Sequence, residues 1–188
     1  MTVMATTLSF LIRDGVSADI SRCLALDHTY ETEYVWQMRL QDETEHRQII
    51  FQTERLPRPL ETAWPVDSHR LELALPAEHC FLVVESRDDQ HDILGYLTMR
   101  SDPVFRIAHL HDLVISQPYR RNKVGSRLLN VARQWARQRQ LVHLTAEIQT
   151  QNYPGILFCQ HAGLAFSGFN DHYFPNRDIA VFFTEALR

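Results

Sequence analysis

Residues 114 to 138 read VISQPYRRNKVGSRLLNVARQWARQ, and the change of pattern inside them decides the fold. An apolar strand end, Val114 and Ile115, gives way to a polar turn holding Pro118, Arg120, Arg121 and Lys123, which closes at Gly125. Beyond it Leu128, Leu129, Ala132, Trp135 and Ala136 recur at the 3.6-residue period, so a helix with a buried stripe is expected from Gly125 to about Arg139. Arg133 and Arg137, four apart, fall on one face of it, as solvated charges do.

Strand and helix patterns alternate on both sides of this unit. Upstream, TLSFLIR (7–13) alternates Leu8, Phe10 and Ile12 as a half-buried strand does, and SADISRCLAL (17–26) predicts a helix with Ser17 as N-cap and Ile20, Cys23 and Leu24 on one face. CFLVVES (80–86), a DDQHD turn and ILGYLTMR (93–100) read as an antiparallel hairpin, and FRIAHLHDLVIS (105–116) as a further strand. Downstream come a strand in LVHLTAEIQ (141–149), a short helix in PGILFCQHAG (154–163) and two last strands, LAFSGFN and IAVFFTEAL. The sum is a mixed α/β sheet with flanking helices. Residues 28 to 79 fit this least: aromatics, the polar run QDETEHRQ and the proline-rich RLPRPLETAWP suggest an elaborated loop or lid, or a homodimer contact, with DSHRLELAL as a short helix.

Composition sets the class. At 188 residues, 45% apolar and 22% charged, the chain suits one soluble domain, 1–188, with the insert inside it. No apolar run nears the roughly 18 residues of a membrane span, and the N-terminus lacks the basic-then-apolar order of a secretory signal, so the expected location is cytoplasmic. Cys23, Cys80 and Cys159 are odd in number and widely spaced, which suggests neither a disulfide framework nor a zinc site. Charge is unevenly shared: residues 1–100 hold 17 acidic and 9 basic side chains, residues 101–188 hold 6 and 10. The two halves are thus suited to oppositely charged ligands.

A strand, a cationic turn, a glycine and a helix start bring unpaired N–H groups and the positive end of a helix dipole to one place, which binds anions and phosphate above all. The turn lacks GxxxxGK[ST] and GxGxxG, so it is neither a Walker loop nor a dinucleotide fingerprint. The pyrophosphate of coenzyme A remains as the common ligand of such a turn.

VISQPYRRNKVGSRLL resembles the acetyl-CoA-binding segment of the GNAT N-acetyltransferase superfamily, [QR]-x-x-G-x-[GA], with Arg120, Arg121, Asn122, Lys123, Val124 and Gly125 in its six places. Lys123 departs from it, standing where the first glycine is usual: lysine resists positive φ, yet adds a cation beside a polyphosphate. TQNYPGILFCQHAGL resembles the superfamily's later segment, with Asn152, Gly155, Gly163 and Leu164 in its Asn, small and Gly-Phe places, and AEIQTQN with FSGFNDHYFPNRDIAVFF is similar to streptothricin acetyltransferase-like members. The resemblance implies a mostly antiparallel central sheet and acetyl-CoA as co-substrate. It implies that a primary amine, on a small molecule or a protein, attacks the thioester directly. Leu113, Val114 and Ile115 would orient the thioester through their main chain, and Arg120 to Gly125, Ser126 and Asn152 would hold the coenzyme.

An amine with a pKa near 10.4, as for lysine, needs a base at neutral pH. Asp112, just before the thioester segment, is the first candidate, Glu147 the second, and His109 and His111 the third; the plain alternative for Asp112 is a strand-end carboxylate paired with an arginine. His109 and His111 share a strand face, but a metal site wants more ligands than they and Asp112 supply, so no metal is expected. Cys159 occupies the place of the family's thiolate-protonating tyrosine; it is either that acid or a small buried residue, with Tyr153 and Tyr173 as substitutes. The acidic first half would favour a cationic acceptor. A catalytically inactive acyl-CoA-binding module is the alternative that the two departures, Lys123 and Cys159, keep open. RNA binding by the arginine-rich helix ranks last, because a stacking platform would interleave aromatics.

Overall fold

The structure is a computed structural model in which residues 8–42, 44–88 and 90–188 are described. Its elements run β1 (Phe10–Asp14), α1 (Ile20–Leu24), β2 (Thr29–Asp42), β3 (Arg47–Ala63), α2 (Ser68–Glu72), β4 (Cys80–Ser86), β5 (Ile93–Asp102), β6 (Ile107–Ile115), α3 (Val124–Gln138), β7 (His143–Gln149), α4 (Tyr153–His161), β8 (Ala165–Asn170) and β9 (Ala180–Ala186). The expected class, a mixed α/β fold with mostly antiparallel strands and flanking helices, is what forms. No helix among the described residues is long and apolar enough to cross a membrane. The chain divides into two compact units. One holds the residues up to His28 with Pro65–Leu144 and Leu187–Arg188; the other holds Thr29–Trp64 and Thr145–Ala186.

In the first unit β1, β4, β5 and β6 lie in that order, every neighbour antiparallel. β4 and β5 are buried along almost their whole length, which is why they read as continuous apolar runs rather than alternating ones. α3 lies across β4, β5 and β6, and its Val124, Leu128, Leu129, Ala132 and Ala136 are buried. The expected stripe is therefore the packed one, except at its edge: Trp135 is half-buried and carries the Arg139 guanidinium 4.0 Å from its ring centroid. Gly95 is required by close approach, since a Cβ there would stand 2.5 Å from the Val114 carbonyl oxygen on β6.

The opening strand and helix are shorter than expected, β1 starting at Phe10 and α1 following a 3-10 turn over Ser17–Asp19. Ser17 is not the cap. Val16 is the N-cap of the 3-10 turn, and the Asp19 carboxylate accepts from its N–H at 3.0 Å while Arg13 grips that carboxylate at 2.7 Å. Arg13 also reaches Glu85 at 2.6 Å, so one guanidinium ties β1, the turn and β4 together.

The second unit corrects the expectation for residues 28 to 79: most of that insert is a β-hairpin, not a loop. β2 and β3 pair from Thr29↔Ala63 to Asp42↔Arg47. The alternation was masked by charged residues on the exposed faces and by Pro57 and Pro59. Pairing jumps from Tyr34↔Arg55 to Thr32↔Leu60, so both prolines sit in a bulge where no ladder N–H is needed. The hairpin is anchored by the Trp36 N–H to the Thr150 carbonyl at 2.9 Å and by an aromatic cluster in which Trp36 meets Phe51, Phe166 and Phe183 at ring distances of 5.7–5.9 Å. β8 pairs antiparallel with β9, β7 neighbours β9, and α4 packs on β2 with Tyr153 against Tyr34. Of the rest of the insert, Ser68–Glu72 forms α2, as expected for a short helix.

Candidate functional site

The cationic turn has the strand-turn-helix form that its pattern suggests. After β6 a 3-10 turn over Gln117–Tyr119 leads to Arg121 at φ 65°, Lys123 at φ 62° and then the first turn of the 15-residue α3. Lys123 is the left-handed N-cap, the conformation for which glycine is usual, so the steric cost foreseen for lysine is present, about 1–2 kcal/mol. Arg121, Asn122, Lys123 and Ser126 are exposed at the helix start, Gly125 is half-buried, and Val124 is sealed into the core, fixing the start of the helix. The first N–H groups of a helix have no intrahelical partner, and here they open onto a crest of cations.

Arg120 works differently from its neighbours. Its Nε donates to the Ile115 carbonyl at 2.8 Å and its Nη2 to the Asp27 carbonyl at 3.1 Å. It staples the turn to the end of β6 and to the segment after α1, while Arg121 and Lys123 are exposed. Leu113, Val114 and Ile115 end β6 opposite Leu97, Tyr96 and Gly95, with Val114 and Ile115 buried.

Asp112 lies one step earlier, with its side chain 0% exposed. Thr98 Oγ1 donates to Oδ2 at 2.5 Å, and Arg70 Nε donates to Oδ1 at 2.9 Å while its Nη2 reaches the His111 carbonyl at 3.1 Å. α2 exists to deliver Arg70: Asp67 caps it by accepting from the Arg70 N–H at 2.7 Å, and fully buried Leu71 anchors it. This is the arginine-paired geometry named as the plain alternative for Asp112. Neither Arg70 nor Thr98 was singled out from sequence, because nothing local links positions so far apart along the chain. The same holds for His28, whose Nε2 shares a 3.1 Å hydrogen bond with the hydroxyl of fully buried Tyr96; burial holds the His28 imidazole below its ordinary pKa and raises the Tyr96 phenol.

In the second unit Asn152 caps α4, its side chain accepting from the Gly155 N–H at 2.9 Å. A Cβ at Gly155 would stand 2.9 Å from that side chain, so the small residue there serves the cap. Cys159 is on the inner side of α4 and 2% exposed. The structure joins two residues that were separate candidates: the Tyr173 hydroxyl donates to Glu147 Oε2 at 2.7 Å. Close by in sequence, Asp178 accepts from Gln149 at 3.0 Å, Gln151 at 3.2 Å and Asn176 at 2.6 Å, and the Tyr30 hydroxyl donates to Gln149 at 3.3 Å. Burial, with Asp178 second, pushes the Tyr30 phenol above its usual value. The His109 and His111 rings lie 6.4 Å apart, and no group of three or more candidate metal ligands occurs among the described residues.

The protein is an acetyl-CoA-dependent acetyltransferase with a mostly antiparallel α/β fold, in which β6 leads into a cationic, left-handed turn at a helix N-terminus. The chain belongs to the acetyltransferase (GNAT) family, whose model matches residues 28–164. No curated protein matches the sequence closely enough to count as a relative. Solved structures share the fold. A nourseothricin acetyltransferase is 20% identical with a TM-score of 0.81, covering 96% of this chain and 99% of its own. A structure from Bacillus anthracis str. Ames, assigned as a streptothricin acetyltransferase in complex with acetyl coenzyme A, is 18% identical with a TM-score of 0.77, covering 96% and 100%. The ribosomal-protein-S18-alanine N-acetyltransferase from Escherichia coli is 12% identical with a TM-score of 0.67, covering 95% and 94%.

Proposed function

We propose that the protein transfers the acetyl group of acetyl-CoA to a primary amine by direct attack on the thioester. The observation that carries this reading is the turn over Arg120–Ser126, where two left-handed residues and a helix start gather cations and open amides at the end of β6. Bound there, acetyl-CoA supplies an activated acyl group with a thiolate leaving group. The chain's own part is placement: Arg121, Asn122, Lys123 and the amides through Ser126 hold the pyrophosphate, Arg120 fixes the turn, and Val124 and Gly125 set the helix start. The main chain of Leu113–Ile115 orients the thioester and polarises its carbonyl. Asn152 contributes by setting the start of α4.

In this reading Asp112 holds β6 and α2 in register through Thr98 and Arg70, and Cys159 is a small packing residue of α4. The nourseothricin and streptothricin enzymes that share the fold support a cationic acceptor, which also suits the acidic first half of the chain. A cytoplasmic setting accompanies it, where the buried thiols of Cys23, Cys80 and Cys159 stay reduced. The test is thiol release from acetyl-CoA against a panel of amines, beside calorimetry with the same thioester. Amine-dependent release with micromolar binding is expected; heat of binding without release for any amine would leave only a binding module.

A further inference from the structure

Arg120 belongs to a closed ring of contacts that lies wholly within the first unit of the chain. Its Nε donates to the Ile115 carbonyl at 2.8 Å and its Nη2 to the Asp27 carbonyl at 3.1 Å. The residue after Asp27 is His28, which meets the Tyr96 hydroxyl through Nε2 at 3.1 Å. Tyr96 follows Gly95 on β5, and Gly95 is the register partner of Ile115 on β6. The ring thus passes from Arg120 through Ile115, Gly95, Tyr96, His28 and Asp27 back to Arg120, and joins the segment after α1 to β5, to the end of β6 and to the cationic turn.

Its strand side is rigid. The Ser116 N–H continues the β5–β6 pairing onto the Leu94 carbonyl at 2.8 Å, and Gly95 sits against the Val114 carbonyl so closely that a Cβ would stand 2.5 Å from it. Tyr96 is 0% exposed and packs edge-on to Phe81 at 6.5 Å, so its hydroxyl depends on an acceptor from the protein. Asp27 and His28 lie between α1 and β2 and belong to neither; Tyr96 grips them from inside and Arg120 from the turn.

His28 is the titratable link. Its imidazole donates to the Leu26 carbonyl, which leaves Nε2 to accept from the Tyr96 O–H. A proton on Nε2 would turn that acceptor into a donor and strand the enclosed phenol hydrogen. It would also set a cation beside Arg120, against the attraction of Asp27 and of Asp112 on β6. Burial outweighs these carboxylates and holds the imidazole below its ordinary pKa. The neutral form therefore closes the ring, and acid opens it.

We infer that His28 and Tyr96 are positioning residues for acetyl-CoA, which through Asp27 and Arg120 fix the cationic turn relative to the end of β6. The inference rests on the reading that this turn and the end of β6 hold the coenzyme's pyrophosphate and thioester. A ligand held at two places loses affinity when their spacing is loosened, because part of its binding free energy goes into restoring it.

The test is calorimetry of the full chain with acetyl-CoA, beside melting temperature and steady-state kinetics. Tyr96→Phe, His28→Ala and Arg120→Lys should each weaken binding about tenfold at neutral pH, within the usual range for coupled sites. His28→Ala combined with Arg120→Lys should bind little worse than either alone, since both open one ring. KM for acetyl-CoA should rise by the same factor while kcat at saturation stays within about twofold, the pattern of lost uniform binding. His28→Gln keeps an acceptor at the place of Nε2 without a titrating ring, so it should bind like wild type at neutral pH. On acidification to about pH 5.5, roughly a unit below the ordinary histidine pKa, wild type should lose several-fold more affinity than His28→Gln. The coenzyme's own phosphate titration is common to both proteins and cancels. Variants that melt lower yet bind acetyl-CoA as wild type does would overturn the inference, as would additive losses in the double variant or equal acid losses in wild type and His28→Gln. If Arg121→Gln combined with Lys123→Gln binds as tightly as wild type, the reading of the turn itself falls, and this inference with it.

Discussion

Asp112 and Glu147 are both carboxylates in strands, and their surroundings differ. Asp112 is enclosed, bonded to a guanidinium and a hydroxyl, and binds α2 to β6. Glu147 is half-buried and accepts a hydrogen bond from the Tyr173 phenol. A buried charge with its partner is a structural joint, because removing either half leaves the other uncompensated, whereas a half-buried carboxylate depends less on any one partner.

The sharpest way to break this comparison is to neutralise each carboxylate in turn. Asp112→Asn should cost about 3 kcal/mol in stability, read as a lower urea midpoint, because Arg70 loses its buried counterion. Glu147→Gln should leave that midpoint within about 0.5 kcal/mol, as surface substitutions usually do. Asp112→Asn protein that unfolds like wild type would erase the distinction.

Asp19, 3% exposed, extends the enclosed class to the N-terminus. Its hydrogen bond to Arg13 holds its pKa below the ordinary value. Asp19→Asn should therefore cost about 2 kcal/mol at neutral pH, somewhat under a fully buried pair because Arg13 is partly exposed. A depressed folded pKa stabilises above the unfolded value, near 3.9, and that contribution fades as pH falls through the folded one. The gap between variant and wild type in urea should thus be constant above about pH 5 and shrink below pH 4. A gap that widens in acid would contradict it.

At the turn, Lys123→Gly should raise stability by about 1 kcal/mol through relief of the left-handed cost, partly offset by the extra freedom of glycine in the unfolded chain. Acetyl-CoA affinity should fall only a few-fold, with a weaker dependence on salt, since one screened cation is lost. Calorimetry across a salt series checks both. The smallest effect belongs to Cys159→Ser, which should leave turnover within twofold if this 2% exposed side chain serves packing; a tenfold loss would restore it as the acid.

Much of the architecture was legible in order and type. The hairpin of β4 and β5, β6, α3, β7, α4 and the last two strands were each readable because their apolar residues repeat at the period of the element or run unbroken through a buried one. The β2–β3 hairpin was not, since Pro57 and Pro59 argue against a strand until the bulge that accommodates them is seen. The cationic turn at Arg120–Gly125, running into a helix start, was readable from local spacing. What Arg120 does was not, because its acceptors at Ile115 and Asp27 come from separate segments.

Local pattern alone settled most element types, the cationic turn before α3 and the buried stripe of α3, since these depend on neighbours within a few residues. Folding decided the surroundings of the ionisable groups. Whether a carboxylate is a joint or a reactive group depends on its burial and on which distant side chain meets it. Arg70 stands 42 residues from Asp112 and Tyr173 stands 26 from Glu147. Such meetings leave no period in the chain; they arise only where packing brings separate strands and helices together.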